Sequence, residues 1–107
     1  MKSIIVSIAV AGLMVSGSAF ATEMPELANK MNCTACHTID KKLIGPAFQD
    51  VANKYKGDAG AAAALQVKVS KGGSGNWGNS PMPPIDAAGT KQSEIKEMIE
   101  FILGLAK

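Results

Sequence analysis

The chain has 107 residues, 47% hydrophobic and 5% aromatic, with 11 lysines, no arginine, 9 acidic residues and a formal charge of +2. That length holds one domain, and so small a charge excludes a nucleic-acid binder working through global electrostatics. Two cysteines and one histidine are too few for a closed four-ligand zinc site.

Residues 1–21 read as an export signal. Lys2 supplies the positive start, Ile4 to Val15 an apolar run, and Ala19-Phe20-Ala21 a small-x-small cleavage site. A retained membrane anchor is the alternative, but the run is shorter than the roughly 20 residues a spanning helix needs. Cleavage after Ala21 is expected to leave residues 22–107 as one domain of 86 residues (107 less 21), with 10 basic and 9 acidic groups and no membrane insertion. Export would place both cysteines where free thiols oxidise, so both need a chemical fate. A domain this small also usually needs a staple, and a buried cofactor is one.

Met24 to Asn32 is predicted as a first helix, with Pro25 at its start and Leu27 and Met31 on its inner face. It runs into Cys33-Thr34-Ala35-Cys36-His37, the chain's only cysteines and only histidine. On one helical turn, residues i and i+3 point the same way, so both sulfurs reach one edge of a porphyrin while the following imidazole meets the metal. A structural disulfide, a redox dithiol and half of a zinc site are the competing readings of two cysteines so spaced.

Thr38 to Pro46 is predicted as a loop. A metal-bound histidine usually donates its second ring N–H to a carbonyl, and Pro46, with its stiff backbone, is a candidate acceptor; otherwise Gly45-Pro46 is simply a turn. Ala47 to Lys56 is predicted as a second helix bearing Phe48, Val51 and Tyr55, and Ala59 to Lys71 as a third, alanine-rich one with Leu65 and Val69 inward. The glycine-rich run Gly72 to Gly78 lacks the Gly-Lys-Ser/Thr ending of a phosphate loop and reads as a tight loop around Trp77, whose indole N–H, if buried, a haem propionate would satisfy. In Pro81-Met82-Pro83-Pro84 a stiff segment presents a methionine 45 positions after His37, far enough round a flat cofactor to reach the iron as a second axial ligand. Thr90 to Lys107 is the last predicted helix, with Thr90 as its N-cap and Ile95, Met98, Ile99, Ile102 and Leu103 along one stripe. No stretch reads as a strand.

These blocks together resemble the class I bacterial cytochromes c, most of all the cytochrome c-551/c-552 group. The likeness rests on Cys33 to His37, on Gly45-Pro46-Ala47-Phe48 with Asp50-Val51-Ala52, on Lys71 to Gly78 and on Pro81 to Pro84, and it spans residues 22–107. It implies an all-α fold of four or so helices wrapped around one covalent haem c. It also implies thioethers at Cys33 and Cys36, axial ligation by His37 and Met82, Pro46 as acceptor for the histidine ring, and Trp77 and Lys68 against an inner propionate. Three positions depart from the group: Asn32 stands for a usual glycine, Phe101 for a common tryptophan, and Ile85 where relatives often carry an Asn or Gln that donates to the methionine sulfur.

The function expected is that of a periplasmic, monomeric electron carrier rather than an enzyme. It would pass one electron at a time between transient protein partners, a respiratory donor and a terminal reductase or oxidase. Lys30, Lys41, Lys42, Lys54 and Lys56 could ring the docking edge, or be an ordinary solvated face. The alternative is a ligand-binding or peroxidase-like haem protein, which needs an open sixth position that Met82 would close. If the cofactor is the staple, the haem-free chain is largely unfolded. Circular dichroism of that chain checks this, and a cooperative native-like melt would contradict it.

Overall fold

The computed structural model describes residues 22–107; the export signal read at 1–21 and its cleavage after Ala21 lie outside the described residues. Among the described residues there are four α-helices, α1 Glu26–Lys30, α2 Phe48–Lys54, α3 Ala61–Lys71 and α4 Gln92–Leu103, and a 3-10 turn at Cys33–Ala35. The only β pairing among them is an isolated antiparallel bridge between Gly73 and Met82. The all-α expectation holds.

Helix α4 is the hub. Ile95, Met98, Ile99 and Ile102 recur at helical spacing and are all buried. Through that stripe α4 packs on α1, α2 and α3, which do not pack on one another. Ala28 and Met31 at the α1 end and Phe48 and Val51 of α2 complete the buried cluster. Ile95 and Ile99 are the largest fully enclosed side chains, and burial of each contributes about 1.5–3 kcal/mol.

Every helix is shorter than its sequence pattern, because backbone groups near the ends find other partners. Pro25 flanks α1 as its N-cap, and Asn32 (φ 60°) turns the chain left-handed just beyond it. Glycine adopts that conformation freely, and asparagine is among the few other residues that tolerate it. The first amides of α2 bond to the loop, Phe48 N–H donating to Thr38 and Gln49 N–H to Ile39, both at 2.9 Å. At the other end of the chain the α4 pattern runs on toward Lys107, yet the helix stops at Leu103. Beyond it the Lys107 N–H donates to Asn53 Oδ1 at 2.9 Å and Gln49 Nε2 donates to the Leu105 carbonyl, so the tail is tied to α2.

The expected N-cap at Thr90 is overturned. Helix α4 starts at Gln92 with no capping side chain of its own. The buried carboxylate of Asp86 instead pins the approach to the helix: Oδ1 accepts the Thr90 N–H at 2.8 Å, and Oδ2 accepts the Lys91 N–H at 2.9 Å and Gln92 Nε2 at 2.6 Å. The Lys91 N–H is one of the four amides that a helix start leaves without an intrahelical partner. Burial alone would raise the Asp86 pKa, but the bonds from Gln92, Lys91, Thr90 and Gly89 outweigh it and hold the pKa below the ordinary carboxylate value. Its contribution to stability is therefore complete above the unfolded value of about 3.9 and is lost as pH falls through the lower folded one. Asp86→Asn, which does not titrate, should show a shallower loss of melting temperature than the parent below about pH 4; identical acid limbs would refute that assignment.

Candidate functional site

The cysteine motif is built on the 3-10 turn. Cys36 and His37 N–H both donate to the Cys33 carbonyl, at 3.2 and 2.9 Å, and a turn of this kind eclipses residues three apart, so the two sulfurs share one side. Neither cysteine is in a disulfide, so both sulfurs are available for another bond. Burial pushes the Cys33 thiol pKa up, against the smaller opposing pull of a backbone hydrogen bond. Among the described residues no group of three or more His, Cys, Asp or Glu comes together, which gives the zinc reading no support.

The His37 ring is held on three sides. Its Nδ1 lies 2.7 Å from the Pro46 carbonyl. A carbonyl only accepts, so Nδ1 carries the proton and Nε2 keeps a free lone pair. Phe48 stacks on the ring at 5.0 Å between centroids, 22° from parallel. Gly45 lies against it so closely that a Cβ there would overlap Cε1 and fall within 2.8 Å of Nδ1 and 2.9 Å of Nε2. The Gly45 N–H, in turn, donates to the Cys36 carbonyl at 2.7 Å. Sequence reasoning anticipated Pro46 but read Phe48 as core alone and Gly45 as a turn residue.

Met82 is brought in by different means. The bridge to Gly73 uses both its backbone groups, N–H to Gly73 at 2.8 Å and carbonyl from Gly73 at 2.9 Å. Gly72 (φ +71°) permits this approach, since a Cβ there would clash with the Met82 carbonyl and lie 2.8 Å from the Pro83 carbonyl carbon. Ile85 packs its side chain against the core cluster and offers no donor to the sulfur.

These parts meet in one cleft of about 1100 Å³, its open mouth included. Cys33, Cys36, His37, Pro46, Lys68, Trp77 and Met82 all line it, so every site residue expected from sequence is brought to the same place. The inner wall is the apolar stripe of α4, with Phe48 and Val51 of α2 and Leu65 and Val69 of α3. Trp77 is 39% exposed rather than enclosed, with the Lys54 ammonium 4.6 Å from its ring centroid and 3.4 Å from the neighbouring Asn76 carbonyl. The lysine–indole pair was not legible in sequence, because 23 positions separate its members.

The donor set fits an iron porphyrin. One imidazole nitrogen is left free to ligate, a thioether is presented by a stiff segment, two thiols share one side of a turn, and apolar walls suit a large flat ring.

Comparison with known proteins agrees. The family model for cytochrome c matches residues 21–106. The chain is 49% identical over 79 residues to cytochrome c-551 of Allochromatium vinosum, covering 74% of this chain and 82% of that protein. It is 43% identical over 98 residues to cytochrome c-552 of Hydrogenobacter thermophilus, covering 92% and 93%. The crystal structure of Nitrosomonas europaea cytochrome c552 superposes with a TM-score of 0.69 at 41% identity, over 75% of this chain and 96% of that one.

Gly45→Ala should displace the His37 ring and cost about 1–3 kcal/mol, the usual range for overpacking. A thermal melt measures the cost, and loss of the protected imidazole Nδ1–H resonance in NMR reports the ring; an unchanged resonance would mean that the corner gives way elsewhere.

Proposed function

The chain belongs to the cytochrome c family, has the class I cytochrome c fold and binds one covalent haem c, and from this premise we propose a soluble, periplasmic, monomeric carrier of single electrons. It works between respiratory donors and a terminal reductase or oxidase. Cys33 and Cys36 hold the porphyrin through thioethers, and His37 and Met82 ligate its iron. The haem supplies a one-electron iron couple when bound.

One observation carries the reading: the Pro46 carbonyl engages His37 Nδ1 at 2.7 Å, leaving the Nε2 lone pair available to a metal, in a cleft that the two cysteines and Met82 also line. The hydrogen bond fixes the tautomer and makes the imidazole a more basic ligand. With both axial positions taken by protein groups, no site is left for a substrate on the metal, and little rearranges when an electron is exchanged. This favours a carrier over a peroxidase-like or ligand-binding protein.

Partners dock at the mouth of the cleft. Leu43 and Ile44 are 52% and 61% exposed there beside the exposed Lys41 and Lys42, and Ile44 also borders the cleft. A bare apolar spot with lysines next to it suits a small, transient contact with a partner of opposite charge. Lys68 and Trp77, both lining the cleft, are placed to hold a propionate.

The purified protein should retain haem on a denaturing gel and show the far-red methionine–iron band when ferric. Met82→Ala should keep the covalent haem, lose that band, bind added ligands and fall in reduction potential; an unchanged spectrum would mean that another residue ligates. Loss of both Cys33 and Cys36 should abolish haem retention on the gel, and full retention would sink the thioether assignment.

A further inference from the structure

Among the described residues only two buried side chains are polar or charged, Ser70 and Asp86, and the exposed Gln92 bonds to both. Gln92 Nε2 donates to Asp86 Oδ2 at 2.6 Å and to Ser70 Oγ at 2.9 Å, and the Ser70 hydroxyl donates to the Gln66 carbonyl at 2.6 Å. Burying polar groups in so small a core is costly unless each is bonded, and these are. The network ties the C-terminal half of α3 to the start of α4.

The backbone places the Met82 segment on the same anchor. Ile85 N–H donates to the Val69 carbonyl at 3.1 Å and Asp86 N–H to the Ser70 carbonyl at 3.2 Å. Four residues earlier, Met82 is paired with Gly73 through both backbone groups. Residues 82–86 are thus fastened at the upstream end to Gly73, just past α3, and at the downstream end to α3 itself. Pro83 and Pro84 between them have no N–H to bond and restricted φ angles, so they behave as a short strut. What happens at one end of a strut is transmitted to the other. The upstream fastening is a two-bond bridge beside the glycine loop, whereas the downstream one is locked by a carboxylate that accepts from Thr90, Lys91 and Gln92.

We propose that Asp86, with Ser70 and Gln92, is a positioning residue for Met82: through the Pro83-Pro84 strut it holds the thioether at the iron against competing ligands. This rests on the reading that Met82 is an axial ligand. With Ile85 turned into the core, no side chain at that position steadies the sulfur, so its placement depends on the backbone and on what anchors it.

The test uses the haem-loaded full protein. Asp86→Ala removes three hydrogen bonds to a charged acceptor, so the ferric protein should bind added imidazole about tenfold tighter or more. Its far-red band should also bleach at a lower alkaline pH than the parent's. Gln92→Ala, which leaves the two backbone bonds to the carboxylate, should shift both in the same direction by less, and it carries the comparison if Asp86→Ala does not assemble. Gln49→Ala is the control: it loosens the tail from α2 and lowers the melting temperature without touching residues 82–86. Parent-like imidazole affinity in Gln49→Ala with tighter binding in Asp86→Ala or Gln92→Ala supports the proposal. Parent-like affinity in Asp86→Ala and Gln92→Ala, or an equal gain in Gln49→Ala, overturns it. Absence of the far-red band from the parent overturns the Met82 reading itself, and that outcome is read before any variant is made.

Discussion

One hydrogen bond fixes which imidazole nitrogen the cleft offers. The Pro46 carbonyl accepts from His37 Nδ1, and a neutral imidazole with that nitrogen protonated has one lone pair left, on Nε2. Most of the surrounding local structure serves that bond. The Cys33–Ala35 turn delivers the ring, the Gly45 amide is tied back to Cys36, and the first amides of α2 close on Thr38 and Ile39 so that Pro46 stays where the ring can reach it. Phe48, the first residue of α2, then covers the ring face. A nine-residue loop is thereby tied down at both ends of the reach between His37 and Pro46, with little entropy left to compete.

Helix α4 supplies the other half. Three short helices that do not touch one another cannot make a core, and each has too few turns to be stable alone. They gain stability by packing on one long apolar stripe. The same stripe, through Ile95, Met98, Ile99 and Ile102, is also the inner wall of the cleft. Core and binding site are therefore one apolar surface, continuous from the α1 end to Met82. A flat apolar ring seated there adds its own buried area to what the four helices supply, which is the physical sense in which a cofactor staples so small a domain.

Residue chemistry was more legible in sequence than backbone geometry. Cys33, Cys36 and His37 are local, and a helical turn is enough to align them. Met82 was legible because three prolines exclude a helix and leave presentation as the reason for a methionine there. The apolar stripe of α4 was legible from period alone. Helix ends were not, because they depend on distant partners. The tail stops being helical where Asn53 and Gln49, more than fifty positions away, take its backbone groups. Thr90 looked like a cap by residue type, yet the helix starts one residue later and the Thr90 N–H is itself held by a carboxylate four residues upstream, once the chain has turned at Gly89. The Lys54–Trp77 stack and the fit of Gly45 under His37 are likewise facts of three-dimensional approach. Asn32 lies between these cases: its residue type allows a left-handed turn, but only the fold shows that one is required.

The two side chains proposed as axial ligands, His37 and Met82, are held by unlike constraints. The imidazole is gripped as a side chain, by a hydrogen bond, a stacked ring and a glycine that leaves no slack. To swing it away, the corner formed by Gly45, Pro46 and Phe48 must open. The thioether is gripped only through its backbone. Its N–H and carbonyl are paired and prolines flank it, but beyond the α-carbon lie three rotatable bonds with no side-chain donor from Ile85. Sulfur placement therefore follows whatever anchors the backbone of residues 82–86, whereas imidazole placement is fixed by contacts on the ring itself. If both side chains ligate iron as proposed, the coordination is asymmetric: the histidine side defines the frame, and the response to a competing ligand falls on the methionine side and the anchor behind it.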